Sequence, residues 1–292
     1  MSDAVVISGF ADEISADFDE QIETVKALGM DHLCVRTADG VGIVGYTEAT
    51  ATTQLLPRLQ AAGIGVSSLG SPIGKIDMND EAGFVRQLDE METLCRIAGL
   101  LGCRFIRVFS FYVPAGEDAD RYGPAVIAKL RQLTAVAADH GITLLHENEK
   151  GIFGDTAARG RLLLEAVGSP HFRAAFDFAN FVQCGEDPMR SWHLLQHHVA
   201  YFHIKDARFD TPGNVLCGTG DGNIPEILRA AISNGYRGFL TLEPHLAEFA
   251  TFAGLERVAN PPPDDPLSST GATAYAAQYN ALRGILRDIP IR

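Results

Sequence analysis

Glu147, Asp177, His203 and Glu243 each close a short apolar run, reading LLHE, AAFD, AYFH and LTLE. A run apolar enough to be buried ends badly in an ionisable group, because burying that group is costly unless something pairs with it or coordinates it. Three carboxylates and one imidazole meeting in space would hold a divalent cation. Hard oxygen ligands with one imidazole and no thiolate suit Mn2+, the ion favoured, with Mg2+, Co2+ or Zn2+ as alternatives. Any one of these residues alone reads equally well as a helix cap, a salt-bridge partner or a hydrogen-bonded core histidine. The inference rests on the set.

The elements that must position them follow from alternation. Side chains alternate across a strand, so Leu145 shares a face with Glu147, Ala175 with Asp177, Tyr201 with His203, and Thr241 with Glu243. Eight β-branched or aromatic runs are spaced along the chain, near 5–9, 32–36, 65–69, 105–109, 143–147, 173–177, 200–204 and 239–243. Amphipathic segments separate them, near 16–28, 48–62, 81–101, 125–140, 156–167, 188–197, 225–234 and 273–287. Ser15 and Asp155 read as helix caps, and Gly29, Gly63, Gly141 and Gly235 as stops. Eight strand–helix units in 292 residues predict a single α/β domain, a (β/α)8 TIM barrel over residues 1–292. No GxGxxG follows the first strand, as a dinucleotide-binding open sheet would have it. A long loop at 244–269, containing a linker-like Pro-rich stretch, is expected to lie over the mouth as a lid or subunit contact. The four candidates close strands five to eight, neighbours in the wall, at the end where such barrels carry their chemistry.

Composition narrows the partners. The chain is 46% hydrophobic, enough for a large core, and 24 basic against 37 acidic residues give a formal charge of -13. That balance disfavours nucleic acid. The five cysteines are odd in number, widely spaced and never arranged as CxxC, which argues against a disulfide framework or a thiolate zinc site and fits a reducing cytoplasm. No secretory leader or membrane-spanning stretch is read from the sequence. A small-molecule partner is expected, and a homodimer or tetramer by analogy with other barrels.

The blocks GFADEIS, SLGSPIGK, IRVFSFY, HENEKGIFGD, FDFANFVQCG, HIKDA, GTGDG and TLEPHL resemble the xylose isomerase-like TIM barrel superfamily. That group includes sugar and sugar-phosphate isomerases and epimerases and, more distantly, endonuclease IV. The resemblance covers nearly the whole chain. It implies that Glu147, Asp177, His203 and Glu243 are the metal ligands and that Glu147 and Glu243 double as the acid–base pair. Two departures matter: Asn180 stands where epimerase and endonuclease relatives commonly carry a histidine, and Asp221 to Asn223 read DGN where endonuclease-like members have Asp-x-His. Both count against a multi-zinc cluster and DNA cleavage.

The expected activity is a metal-dependent isomerisation or epimerisation of a sugar, sugar phosphate or related keto-polyol. Two alternatives stay open, a lyase or dehydratase on the same metal, and a non-catalytic sugar-binding barrel. Substrate-binding candidates are Lys205, His245, Arg107, Lys75 and Asn180. Lys205 is read as reaching a substrate oxygen or phosphate, or as a surface ion pair. His245 either orients Glu243 or touches a hydroxyl, and Arg107 faces inward and needs an acidic partner or an anionic substrate. Lys75 in GSPIGK suggests phosphate, although SPIGK is not a nucleotide-binding P-loop. Asp12 and Glu13 read foremost as helix caps, Glu149 as a partner of Lys150 or Arg159, and Phe10, Phe111 and Trp192 as core residues or sugar-stacking rings. Cys184 and Cys217 show no adjacent catalytic dyad.

Overall fold

In the computed structural model, which describes residues 5–246 and 271–289, eight parallel strands form a barrel wall. They are β1 (Val6–Gly9), β2 (His32–Val35), β3 (Gly65–Leu69), β4 (Phe105–Val108), β5 (Thr143–Glu147), β6 (Phe172–Asp177), β7 (Val199–Ile204) and β8 (Phe239–Leu242). Around the wall the order is β1-β8-β7-β6-β5-β4-β3-β2. At the seam, β1 and β2 are joined among the described residues by a single bridge between Phe10 and Cys34. The helices between strands run Phe18–Ala27, Glu81–Leu100, Gly123–Asp139, Ala157–Val167, Pro188–Leu195, Ile224–Ser233 and Gly271–Arg287. The one expected at 48–62 is two α-helical pieces, Glu48–Thr50 and Leu56–Ala62, joined by a π segment at Ala51–Leu55. A short extra helix, Phe178–Gln183, follows β6 directly. None of these helices is long and apolar enough to cross a membrane.

Two expected caps shift by a residue or two. Asp17, not Ser15, caps the first helix by accepting from the backbone of Asp19 and Glu20, and Thr156, not Asp155, caps the helix at Ala157. Asp155 instead pairs with Arg159 at 2.7 Å. Gly29, Gly63, Gly141 and Gly235 all adopt positive φ just past their helices, as helix stops require. The loop expected at 244–269 falls, from residue 247 onward, outside the described residues.

Strand alternation sorts the side chains into two cores. Leu145, Ala175 and Tyr201 fill the barrel interior with Phe105 and Phe239 beside them, while Leu144, Phe176, Phe202, Leu240 and Leu242 face outward to the helices. Interior residues therefore share parity with the four candidates. The interior is not wholly apolar: the Tyr201 hydroxyl donates to Ser67 at 2.8 Å and accepts from Ser68 at 3.1 Å, and Ser8 meets Ser67 at 2.6 Å. These buried hydroxyls satisfy one another, building a hydrogen-bonded floor beneath the mouth.

Candidate metal centre

Register staggers the four residues by two positions at a time, so all stay on the same face of the wall. Asp177 lies opposite His203 across β6 and β7, Glu147 ends β5 opposite Ala175, and Glu243 follows β8, where Thr241 faces His203. All four are buried, and one ligand atom from each lies within 4.8 Å of the others. His203 Nδ1 is 2.7 Å from Glu147 Oε1 and 3.5 Å from Glu243 Oε2. Ligand atoms about 2.1 Å from a common cation stand roughly 3 Å apart, so the spacing is that of a coordination shell. Asp177 is divided in its duties: Oδ1 accepts from the Asn180 backbone at 2.8 Å, capping the short helix, while Oδ2 accepts no hydrogen bond. Glu147 Oε2, Glu243 Oε2 and His203 Nε2 are likewise buried without a hydrogen-bond partner. Buried polar atoms of this kind call for an explanation: Arg107 and Lys205 stand 3.2–3.7 Å from the three carboxylate oxygens, and a cation held between those oxygens would complete it.

The surrounding side chains hold the four candidates. Arg107 does face inward, and its Nη1 lies 3.2 Å from Glu147 and 3.6 Å from Glu243, touching both glutamates. Lys205 Nζ sits 3.2 Å from Asp177 and 3.7 Å from Glu243. His245 reaches Glu13 at 3.3 Å and Glu243 at 3.5 Å. Asn180 points its amide at the Asn148 carbonyl, 2.8 Å away, and Asn148 exchanges hydrogen bonds with the Asp177 backbone at 3.0 and 3.1 Å. Lys75 and Glu149 form an ion pair at 2.8 Å with the ammonium over the Phe109 ring, so Glu149 finds Lys75 and not Lys150 or Arg159. Asp12 and Glu13 do not cap the helix that follows, which Asp17 caps; both pair with Arg36, a residue the sequence reading passed over. Phe10 lies against His203, edge to face, whereas Phe111 and Trp192 are buried in the outer core.

A family model described as xylose isomerase-like TIM barrel matches residues 22–264. The chain belongs to that family. Among curated proteins, this xylose isomerase-like barrel is 31% identical over 199 residues to 2-epi-5-epi-valiolone 7-phosphate 2-epimerase of Actinoplanes sp., covering 66% of each chain. It is 22% identical over 158 residues to 3-dehydroshikimate dehydratase of Bacillus anthracis, covering 51% of this chain and 56% of that one. The match thus spans somewhat under two thirds of the first relative and about half of the second. Among solved structures, the IOLI protein with a bound zinc atom superposes with a TM-score of 0.78 at 13% identity, over 99% of this chain and all of the other.

Burial and neighbouring charge pull the ionisable groups of this mouth in opposite directions. Burial pushes Asp177 up to about 7 in spite of Lys205. Burial also opposes ionisation of Glu147, yet His203 and Arg107 bring it down to about 2. Glu243 is held well below the usual carboxylate range against the same burial, by Lys205, His245 and His203. His245 is lowered to about 4, chiefly by burial and then by Lys205. Six carboxylates (Asp12, Glu13, Glu147, Glu149, Asp177, Glu243) face four lysine and arginine cations (Arg36, Lys75, Arg107, Lys205). Burial raises Glu13 and Glu149 as well as Asp177, so the carboxyls of this mouth are crowded beyond what the four cations offset. A second acid–histidine group, Glu13, Glu243 and His245, already has the Arg36 guanidinium against both of its carboxylates.

Proposed function

We propose that this protein catalyses a metal-dependent isomerisation or epimerisation of a sugar, sugar phosphate or related keto-polyol, with Glu147 and Glu243 as the proton-transferring pair. The observation that carries the reading is the convergence of four buried ligand atoms from four neighbouring staves, two of them on glutamates that flank the same imidazole. The similarity to a cyclitol phosphate epimerase supports it. Glu147, Asp177, His203 and Glu243 would hold the ion, Mn2+ by preference. A divalent cation bound there supplies Lewis acidity to a carbonyl and its neighbouring hydroxyl, acidifying the carbon between them.

The chain's own groups do the rest. Both glutamates are held anionic, so either can accept the carbon-bound proton as the enediolate forms. Return of that proton by the same carboxyl to the adjacent carbon, with the hydroxyl proton passing from one oxygen of the enediolate to the other, interconverts aldose and ketose. Delivery to the opposite face of the original carbon inverts it, and requires the second glutamate to have taken a proton from a substrate hydroxyl or water. Arg107 keeps the two carboxylates in fixed relation, and Lys205 offers an ammonium to the developing oxyanion. The similarity to a dehydratase favours a second reading, in which the same proton abstraction expels a β-hydroxyl as water.

Solvent-exchange mass spectrometry tests both. Chelator-stripped protein reloaded with Mn2+ is incubated in D2O with a panel of free and phosphorylated ketoses, cyclitol ketones and hydroxylated keto-acids. Deuterium gain at constant formula is expected for isomerisation or epimerisation, and loss of water for elimination. Glu147→Gln and Glu243→Gln should each lower the rate by roughly a thousandfold with the fold intact; wild-type exchange in either would remove the two-base scheme. Substrate binding with no exchange at full Mn2+ occupancy would leave only a binding barrel.

A further inference from the structure

Resting on the metal-centre reading above, we propose that Arg36 is a positioning residue: clamped by Asp12 and Glu13, it holds Glu243 Oε1 so that Oε2 alone faces the cation. The guanidinium is buried, its side chain 4% exposed, and it stands at the seam of the wall, where β1 and β2 share a single bridge. Arg36 follows β2, Asp12 and Glu13 follow β1, and Glu243 follows β8. Arg36 Nε donates to Asp12 at 2.8 Å, Nη1 to Glu243 Oε1 at 2.9 Å, and Nη2 to Glu13 at 3.5 Å. A planar guanidinium with fixed donors sets the direction of several carboxylates at once, which a single ammonium does not.

Two further contacts tie this clamp to the metal ligands. The guanidinium carbon lies 4.6 Å from the Phe10 ring centroid, and the same ring meets His203 edge to face at 5.1 Å. Glu13 Oε2 accepts the His245 backbone N–H at 2.8 Å, fixing the chain two residues beyond Glu243, where His245 adopts φ +48°. With Oε1 engaged, Oε2 accepts no hydrogen bond and remains toward His203.

A cation beside a metal ligand also competes for it, so charge and positioning predict opposite signs. If Arg36 acts only as a charge, its removal strengthens metal binding; if it aims the ligand, removal weakens it. The test is calorimetric titration of Mn2+ into the chelator-stripped full chain, with circular dichroism to verify folding. Arg36→Met is expected to lower Mn2+ affinity at least tenfold, Arg36→Lys to recover only part of the loss, and Asp12→Asn to give a smaller decrease. Arg36→Met that folds and binds Mn2+ as tightly as wild type, or more tightly, overturns the proposal. Should that variant not fold, Asp12→Asn decides, and unchanged affinity there overturns it equally. A wild-type protein that binds none of Mn2+, Mg2+, Co2+ and Zn2+ sinks the metal centre as well, whereas retained wild-type binding with an unaffected variant removes Arg36 alone.

Discussion

Lys205 and Arg36 both touch Glu243, but from different sides. Arg36 engages Oε1, whereas Lys205 stands 3.7 Å from Oε2 and 3.2 Å from Asp177 Oδ2, the two atoms that would face a bound ion. An ammonium there and a divalent cation draw on the same lone pairs. Removing one partner of a buried ion pair typically costs about 3–5 kcal/mol, because the other charge is left uncompensated. Lys205→Met is therefore expected to destabilise the metal-free protein while binding Mn2+ no more weakly than wild type, with added Mn2+ restoring much of the loss. Turnover should still fall by roughly a hundredfold, since the ammonium is no longer there to meet the oxyanion. Melting curves with and without Mn2+ check the first half, and substrate exchange the second. A variant as stable as wild type without metal would show that Lys205 carries little of the site's charge.

At the scale of elements, alternation within strands made the convergence of the four candidates legible, because parity and position at a strand end are local properties. Leu145, Ala175 and Tyr201 line the interior just as their spacing from Glu147, Asp177 and His203 requires. Contacts that join distant elements were not legible. Lys75 and Glu149 meet across 74 residues and Arg36 and Glu243 across 207, so nearby Lys150 and Arg159 looked the better partners for Glu149, and helix capping the better use of Asp12 and Glu13.

The glycines of GTGDG wrap the Asp206 side chain. Its carboxylate is fully buried and accepts backbone N–H groups from Ala207, Gly218, Gly220 and Gly222 at 2.8–3.0 Å. A Cβ on Gly220 would lie 2.4 Å from both the Asp206 carboxylate and the Ala207 carbonyl oxygen, so only glycine permits the approach. Asp206→Asn places an N–H2 group where an acceptor is needed. Loss of two of the four bonds, with two N–H groups left facing it, should cost about 2–4 kcal/mol, read as a lower urea midpoint at unchanged slope. An unchanged midpoint would mean that the loop is organised by something other than this carboxylate.

For the whole molecule, the wall is unevenly tied. The four candidate ligands lie on β5 to β7 or just after β8, while among the described residues the β1–β2 seam has one bridge, with Arg36 beside it. Metal binding should therefore stabilise the barrel unequally as well as overall. At a free Mn2+ concentration a hundredfold above its dissociation constant, linkage gives about 2.7 kcal/mol, which for a chain of this size corresponds to a rise of roughly 5 °C in melting temperature. Hydrogen exchange should locate that gain in β5 to β8 and in the turns that follow them, because those staves are cross-linked through their own side chains. β3 and β4 supply no ligand, and their protection should change little beyond the global shift. The seam is where the two effects meet: through Arg36, Glu243 is linked to the residues after β1 and β2. Mn2+ is thus expected to protect the amides around Phe10 to Glu13 in wild type and to lose that effect in Arg36→Met. Equal protection of all eight strands would instead show that the ion stabilises the fold as one cooperative unit, with no special path through the seam.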